Sequence, residues 1–454
     1  MTIQSISPVT GQVMESVETM SHAQADVALA RADEIGPAWA KKTIDQRTAL
    51  LARLGDGLRA GKETFAALIT REMGKCIGEA RAEIEKCAWL CDYYADTAAG
   101  FLADETIPTG AQRSYIHYQP LGCVLGIMPW NFPFWQVIRF ASPAVTAGNT
   151  ALLKHAPNVP NCARALEKLF LDAGYPVGVF QNLPVDVDAV SKLIEDDRVH
   201  AVTLTGSERA GSAVARQAGA ALKKTVLELG GSDPFIVLDD ADLDAAVKAA
   251  VNARFQANGQ SCIAGKRFIL DQRVAERFTE RFKAAVESLE LGDPMDPATR
   301  LGPMARKDLR DELHAQVEDA LDKGARKVTG CEPVDGPGWF YRPSILADIR
   351  PGMRAWEEEL FGPVASLITV ANDDEALEVA NASPYGLGGS LWTRDLQRGE
   401  RLARQLESGG AYINTITKSD PRTPFGGIKR SGYGRELSYL GLREFVNIKT
   451  IWLA

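Results

Sequence analysis

Residues 122–133 read GCVLGIMPWNFP. Cys123–Met128 is an apolar run of strand length, and a Pro/Asn turn closes it. Pro133 suits the first turn of a helix, where a missing N–H is no loss. A strand, a tight turn and a helix in immediate succession predict one arm of a parallel sheet, because parallel strands need crossover connections. The pattern recurs downstream, with strands at 151–154 and Val199–Thr205 and helices at 161–173 and 208–222. A second region alternates in the same way: strands at 234–238, 266–270, 366–370 and 388–393, helices at 243–257, 275–289 and 375–381. Upstream, residues 22–104 are rich in Ala, Leu, Arg and Glu at helical spacing. Residues 114–119 alternate like a strand, and the tail 444–453 is strand-like again. The expectation is an α/β protein with open, mainly parallel sheets.

Bulk properties exclude several classes. A net charge of −8 gives no general attraction to nucleic acid or to an anionic membrane. An anionic substrate would therefore need a local cation. The 7 cysteines are scattered and odd in number, which fits a reducing compartment better than a disulfide framework. Cys87 and Cys91 share a helix face, but no further pair completes a metal set, so no metal is expected. The start, MTIQSISPVTGQV, has no basic region followed by an apolar stretch, and residues 121–135 are broken by Gly122, Gly126, Pro129 and Pro133. A cytoplasmic enzyme is expected.

Three local contexts carry chemistry. Cys262 stands in NGQSCIAGKR at 258–267, just past a helix expected to stop at Gly259, where small neighbours let another molecule approach the sulfur. A helix C-terminus disfavours thiolate, so an active thiol there needs a base or donors nearby. Glu228, in VLELGG at 226–231, is a carboxylate inside an apolar strand, and desolvation should raise its pKa toward that of a general base. Asn131 offers a neutral amide suited to an oxyanion. Taken singly, each is also compatible with a plain role: a loop thiol, an edge carboxylate, a helix cap.

Together these residues closely resemble the aldehyde dehydrogenase superfamily. The resemblance runs nearly end to end, through PWNFP at 129–133, TGS at 205–207, ELGG at 228–231, GQSC at 259–262, EELFGPV at 358–364 and PFGGIKRSGYGRE at 424–436. It implies two open parallel-sheet α/β domains and a small oligomerisation element. The dinucleotide-binding domain would span 1–101 and 121–229, the catalytic domain 230–432, and the oligomerisation element 102–120 and 433–454. The resemblance makes Cys262 the nucleophile that forms a thiohemiacetal and then a thioester, Asn131 the oxyanion donor, and Glu228 the base that activates the hydrolytic water. It assigns cofactor contacts to Trp130, Lys154, Gly206, Ser207, Leu229, Glu359 and Phe361, although no G-x-G-x-x-G fingerprint is present. Pro157 stands where NAD-type relatives carry a glutamate that repels a 2′-phosphate. NADP is therefore expected to serve at least as well as NAD.

Asn131, Trp135 and Arg139 fall at i, i+4 and i+8, one helical stripe, so Arg139 is expected as a cation at the far end of a substrate tunnel. This is similar to succinate-semialdehyde dehydrogenases. Ser261, Ser419 and the neighbouring Lys418 are further substrate contacts. Glutarate or 2-oxoglutarate semialdehyde, or a broad range of aldehydes, is the alternative. A homodimer or homotetramer is expected, with no nucleic-acid or membrane partner.

Overall fold

The computed structural model describes residues 2–454. Four helices, His22–Ala40, Ile44–Ala60, Lys62–Met73 and Ile77–Phe101, follow an N-terminal hairpin of Thr2–Ile6 and Val13–Glu18. Ser21 and Thr43 begin the first two helices with reciprocal capping boxes to Gln24 and Gln46.

Two sheets organise the rest. The first runs, in spatial order, Gly432–Tyr433, Lys224–Glu228, Val199–Thr205, Cys123–Met128, Thr150–His155, Phe180–Asn182. All its neighbours are parallel except Gly432–Tyr433, which pairs antiparallel with Leu227 and Glu228. The second runs Arg326–Thr329, Ser344–Ala347, Val364–Val370, Gly265–Asp271, Asp233–Val237, Ser390–Trp392, Tyr412–Ile413. Only its first pair is antiparallel. Strands such as Asp233–Val237 are buried along their whole length, which explains the apolar run Pro234–Val237. Val446–Leu453, Arg113–Pro120 and Glu105–Thr106 form a separate antiparallel sheet with Val446–Leu453 at its edge.

The topology of the first sheet locates a crevice. From Cys123–Met128 the chain moves outward to Thr150–His155 and Phe180–Asn182, then returns to the other flank at Val199–Thr205. The carboxyl ends of those two central strands open a gap where the winding reverses, the place where open α/β sheets bind ligands. Trp130 and Asn131 follow one strand, Gly206 and Ser207 follow the other, and Glu228 ends the next.

Several helix ends differ from the sequence reading, two of them beside the candidate site. The helix after Pro133 starts at Trp135, and the one expected to reach 257 stops at Phe255. Beyond it Ala257 and Asn258 take left-handed φ of 52° and 57°. Tertiary hydrogen bonds hold that turn: Asn258 Nδ2 donates to Gly74 O and to Pro303 O, both at 2.8 Å.

Candidate active site

The nucleophile loop is clamped from both sides. Arg254, fully buried, donates through Nη2 to Gly259 O at 2.8 Å, to Leu360 O at 3.2 Å, and to Gly362 O. Gln260 Oε1 accepts from Ala305 N at 2.9 Å. Lys266, 1% exposed, donates to Ser261 O and Cys262 O at 2.8 Å each and pairs with Glu359 Oε1 at 3.0 Å. Cys262 therefore sits on a rigid turn between the two sheets. Desolvation pushes its thiol up to about 12, opposed by the charges of Lys266 and Arg139.

Glu228 is 2% exposed, and neither carboxylate oxygen has a hydrogen-bond partner among the described residues. Burial raises it to about 8, Arg139 opposing and Glu436 adding to the rise. Its carboxylate also raises the Cys262 thiol, so the two groups feel each other across the site. Two glycines are required by close approach. A Cβ at Gly231 would lie 2.6 Å from Cys262 O, and one at Gly426 would lie 2.8 Å from Glu228 Oε1. Asn131, 4% exposed, donates through Nδ2 to Gln260 O at 3.0 Å, leaving its second amide hydrogen for a ligand.

Cys262 borders two cavities. One, about 270 Å³, is flanked by Trp135, Arg139, Ser261, Lys418 and Ser419, so every residue the sequence reading placed at the substrate lies on one wall or another. The other, about 240 Å³, is lined by Trp130, Asn131, Gly206, Ser207, Leu229, Glu359 and Phe361 among others, the cofactor set without Lys154 and Pro157. Those two lie beyond it. Lys154 is half-buried at the end of the neighbouring strand, and exposed Pro157 edges a separate cleft of about 30 Å³ beside His155 and Arg164. His155 links them to the site: Nδ1 accepts from Ala156 N at 2.8 Å, so Nε2 donates to Pro133 O at 2.9 Å. Burial holds this imidazole neutral, down at about 4.

The 240 Å³ cavity fits a nicotinamide dinucleotide by its donor set. It opens onto the N-terminus of helix Glu208–Ala220, where partial positive charge favours phosphate, although the Ser207 hydroxyl also caps that helix at Ala210 N. The Glu359 carboxylate, braced by Gly231 N at 3.1 Å, can accept from ribose hydroxyls. Trp130 and Phe361 meet edge to face at 5.9 Å, forming an aromatic wall.

The aldehyde dehydrogenase family pattern matches residues 1–451. The chain belongs to the aldehyde dehydrogenase family. It is 52% identical over 449 residues to the Escherichia coli succinate semialdehyde dehydrogenase Sad, named for NAD(P)+, covering 99% of this chain and 97% of that one. It is 50% identical to a probable NADP+ succinate-semialdehyde dehydrogenase of Synechocystis, covering 100% of both. Among solved structures, the Streptococcus pyogenes succinic semialdehyde dehydrogenase in complex with NADP+ superposes with a TM-score of 0.98 at 40% identity, covering 99% of each chain.

Within this family fold, Arg139, expected as a cation at the far end of a substrate tunnel, also has a counter-ion that its helical spacing did not reveal. It lines the substrate cavity but is 2% exposed, with Nε 2.5 Å from Glu436 Oε2 and Nη2 3.4 Å from Thr205 Oγ1. Sequence reasoning passed over its partner. Glu436 ends the quoted PFGGIKRSGYGRE motif, and Phe425 bridges to it by backbone hydrogen bonds of 2.7 and 2.8 Å. Leu309, lining the cofactor cavity, and Lys266 were missed too. A lysine at the head of a strand that runs on into the apolar Phe268–Leu270 was the available signal for Lys266.

Proposed function

We propose that this aldehyde dehydrogenase oxidises succinate semialdehyde to succinate, with NADP as the preferred acceptor and NAD as the second. One observation carries the reading: Cys262 stands between a cavity lined by the candidate cofactor residues and a second cavity bordered by Lys86, Arg139 and Lys418 in a protein of net negative charge. The names of the relatives support the same substrate and cofactor.

Cys262 attacks the aldehyde carbon, forming the C–S bond. Its thiol proton passes to a base, and Glu228, whose charge acts on the Cys262 thiol and whose carboxyl burial raises to about 8, takes it. Charge that develops on the carbonyl oxygen meets the free amide hydrogen of Asn131 and the Cys262 backbone N–H. When bound in the second cavity, nicotinamide supplies the two-electron acceptor. Trp130, Gly206 and Ser207 would hold its phosphates, and Glu359 and Phe361 would orient its ribose and ring. The acyl group stays on Cys262 as a thioester. Once Glu228 has passed the thiol proton to solvent, it takes a proton from water, whose oxygen attacks the acyl carbon. The C–S bond breaks, and the carboxylate leaves.

Pro157 brings neither charge nor donor, and the nearby Lys154 cation favours a 2′-phosphate. We further propose a homodimer or homotetramer built on the edge strand Val446–Leu453, whose Ile448 and Trp452 are exposed. We place the enzyme in the cytoplasm on its unpaired cysteines. Among the described residues no helix is long and apolar enough to cross a membrane. The deciding experiment is a panel of succinate, glutarate and 2-oxoglutarate semialdehydes and butanal, assayed with each cofactor. The highest kcat/KM is expected for succinate semialdehyde with NADP. Equal values for butanal would overturn the substrate assignment.

A further inference from the structure

The helix Ile77–Phe101 belongs to neither sheet, yet two of its carboxylates hold backbone of the candidate site. Glu79 and Glu83 stand four residues apart on one face, a separation of about 6 Å along the helix axis. Glu79 accepts from Ala257 N through both oxygens at 3.1 Å, where the left-handed turn leading to Cys262 begins. Glu83 serves the other turn. Its Oε1 accepts from Phe134 N at 2.9 Å and from Trp135 N at 3.0 Å, just after Asn131. Its Oε2 pairs with Lys75, and both side chains are buried.

The turn that carries Asn131 has little local support. Phe134, at the start of helix Trp135–Thr146, has no polar side chain to cap that helix, and Pro133 has no N–H. The first donors of the helix therefore find their acceptor outside their own segment, at Glu83. Lys75 extends the clamp, with Nζ 3.6 Å from the centre of the Phe132 ring. His155 completes it by donating to Pro133 O. Each of the four residues after Asn131 is thus fixed by a group from another element. The Asn131 carboxamide has one hydrogen bond of its own, to Gln260 O, and its Oδ1 is buried with no partner among the described residues. Its aim comes from the backbone that Glu83 holds.

We infer that Glu83, paired with Lys75, is a positioning residue for the oxyanion donor: it fixes the turn of Asn131 on helix Ile77–Phe101, while Glu79 fixes the turn of Cys262 about one helical turn away. The free amide hydrogen of Asn131 is thereby kept on the carbonyl oxygen of an aldehyde attacked by Cys262. The inference rests on the thioester mechanism proposed above. It assigns a part in transition-state stabilisation to a helix that carries none of the family motifs quoted from the sequence.

Stability alone does not account for the Lys75–Glu83 pair. Taking two charges out of water is costly, and apolar side chains of similar volume often pack as well or better. Apolar side chains cannot, however, provide an acceptor for Phe134 N and Trp135 N, which would be left unsatisfied in a buried turn. The Glu83 side chain is 1% exposed, so water does not compete for its oxygens, and bonds from N–H groups to a carboxylate are strong in such a site. Small displacements matter here, because a shift of about 1 Å in a catalytic group can cost about a hundredfold in rate.

The test is a mutant cycle, read in the burst of reduced cofactor after rapid mixing with saturating succinate semialdehyde and NADP. Asn131→Ala is expected to lower the burst rate constant about 10²–10³-fold. Lys75→Met with Glu83→Leu removes the acceptor without leaving a buried charge unpaired, and the burst should slow about ten- to hundredfold with little change in the cofactor Kd. Lys75→Met with Glu83→Gln should recover most of that loss, because the amide oxygen can still accept from both N–H groups. The cycle separates positioning from packing: added to Asn131→Ala, Lys75→Met with Glu83→Leu should slow the burst by no more than about twofold. Cofactor titration by quenching of tryptophan fluorescence verifies that each variant is folded, and Lys75→Leu with Glu83→Met replaces the first pair if it fails that check. A burst within about twofold of the unmutated enzyme in the folded apolar variant, or the same loss in the Asn131→Ala background, overturns the role of Glu83. A normal burst in Asn131→Ala alone overturns the oxyanion reading instead, so the two failures are distinguishable.

Discussion

Replacing Glu228 by Gln removes the base while keeping its shape and its place beside Gly426. Positioned general bases contribute about 10²–10⁴ in rate, or roughly 3–5 kcal/mol. The structure makes the loss depend on pH. With its carboxyl raised to about 8 by burial, Glu228 is ionised in roughly one molecule in ten at pH 7 and in most molecules at pH 9. Steady-state kcat should therefore fall about 10–10³-fold at pH 7 and about 10²–10⁴-fold at pH 9, and the rise of kcat with pH should flatten in the variant. Rapid mixing with aldehyde and cofactor, read at the absorbance of the reduced cofactor, should give one burst equal to the active sites and then slow turnover. Stability moves in the opposite sense. The folded-state value lies above that of an unfolded carboxyl, so folding is favoured at low pH and loses about 1.4 kcal/mol per unit as pH rises toward 8. The Gln variant should resist thermal denaturation better than the unmutated protein at pH 9, with the two converging near pH 4. Full turnover in the variant at pH 9, or a pH profile that still climbs, would refute Glu228 as the base.

Cys262→Ala should abolish aldehyde oxidation while cofactor titration still saturates, and any residual oxidation at the normal rate would remove the covalent mechanism. Lys266→Met withdraws the cation that lowers the Cys262 thiol; alkylation of Cys262 by iodoacetamide at pH 8 should slow about tenfold for each unit the thiol rises. An unchanged rate would restrict Lys266 to bracing the loop. Pro157→Glu should shift the ratio of kcat/KM from NADP toward NAD, because a carboxylate repels the 2′-phosphate. Parallel saturation curves with both cofactors measure this, and a strong NAD preference in the unmutated enzyme would defeat the reading of Pro157.

The sequence by itself determined the strands Cys123–Met128 and Val199–Thr205 to the residue, since short apolar runs bounded by Pro, Asn and Gly encode backbone preference locally. It also brought Asn131, Glu228 and Cys262 forward as candidates, because each stands near a strand or helix end where motif and topology coincide. Asn131 and Glu228 converge since parallel strands present all their carboxyl ends at one edge. Tertiary structure decided the rest. Helix 243–255 stops short of Gly259 because Asn258 is held in a left-handed turn by Gly74 and Pro303, residues far away along the chain. Helical spacing correctly set Arg139 on the stripe of Trp135, but spacing says nothing about counter-ions, and Glu436 reaches Arg139 only through the fold. Lys86 reads in sequence as one polar residue on an amphipathic helix, indistinguishable from a solvated face. Whether such a lysine meets water or lines a cavity depends on which element packs against it. Here Trp135 and Ser419, from two distant segments, close around its ammonium, and a local periodicity holds no information about that contact.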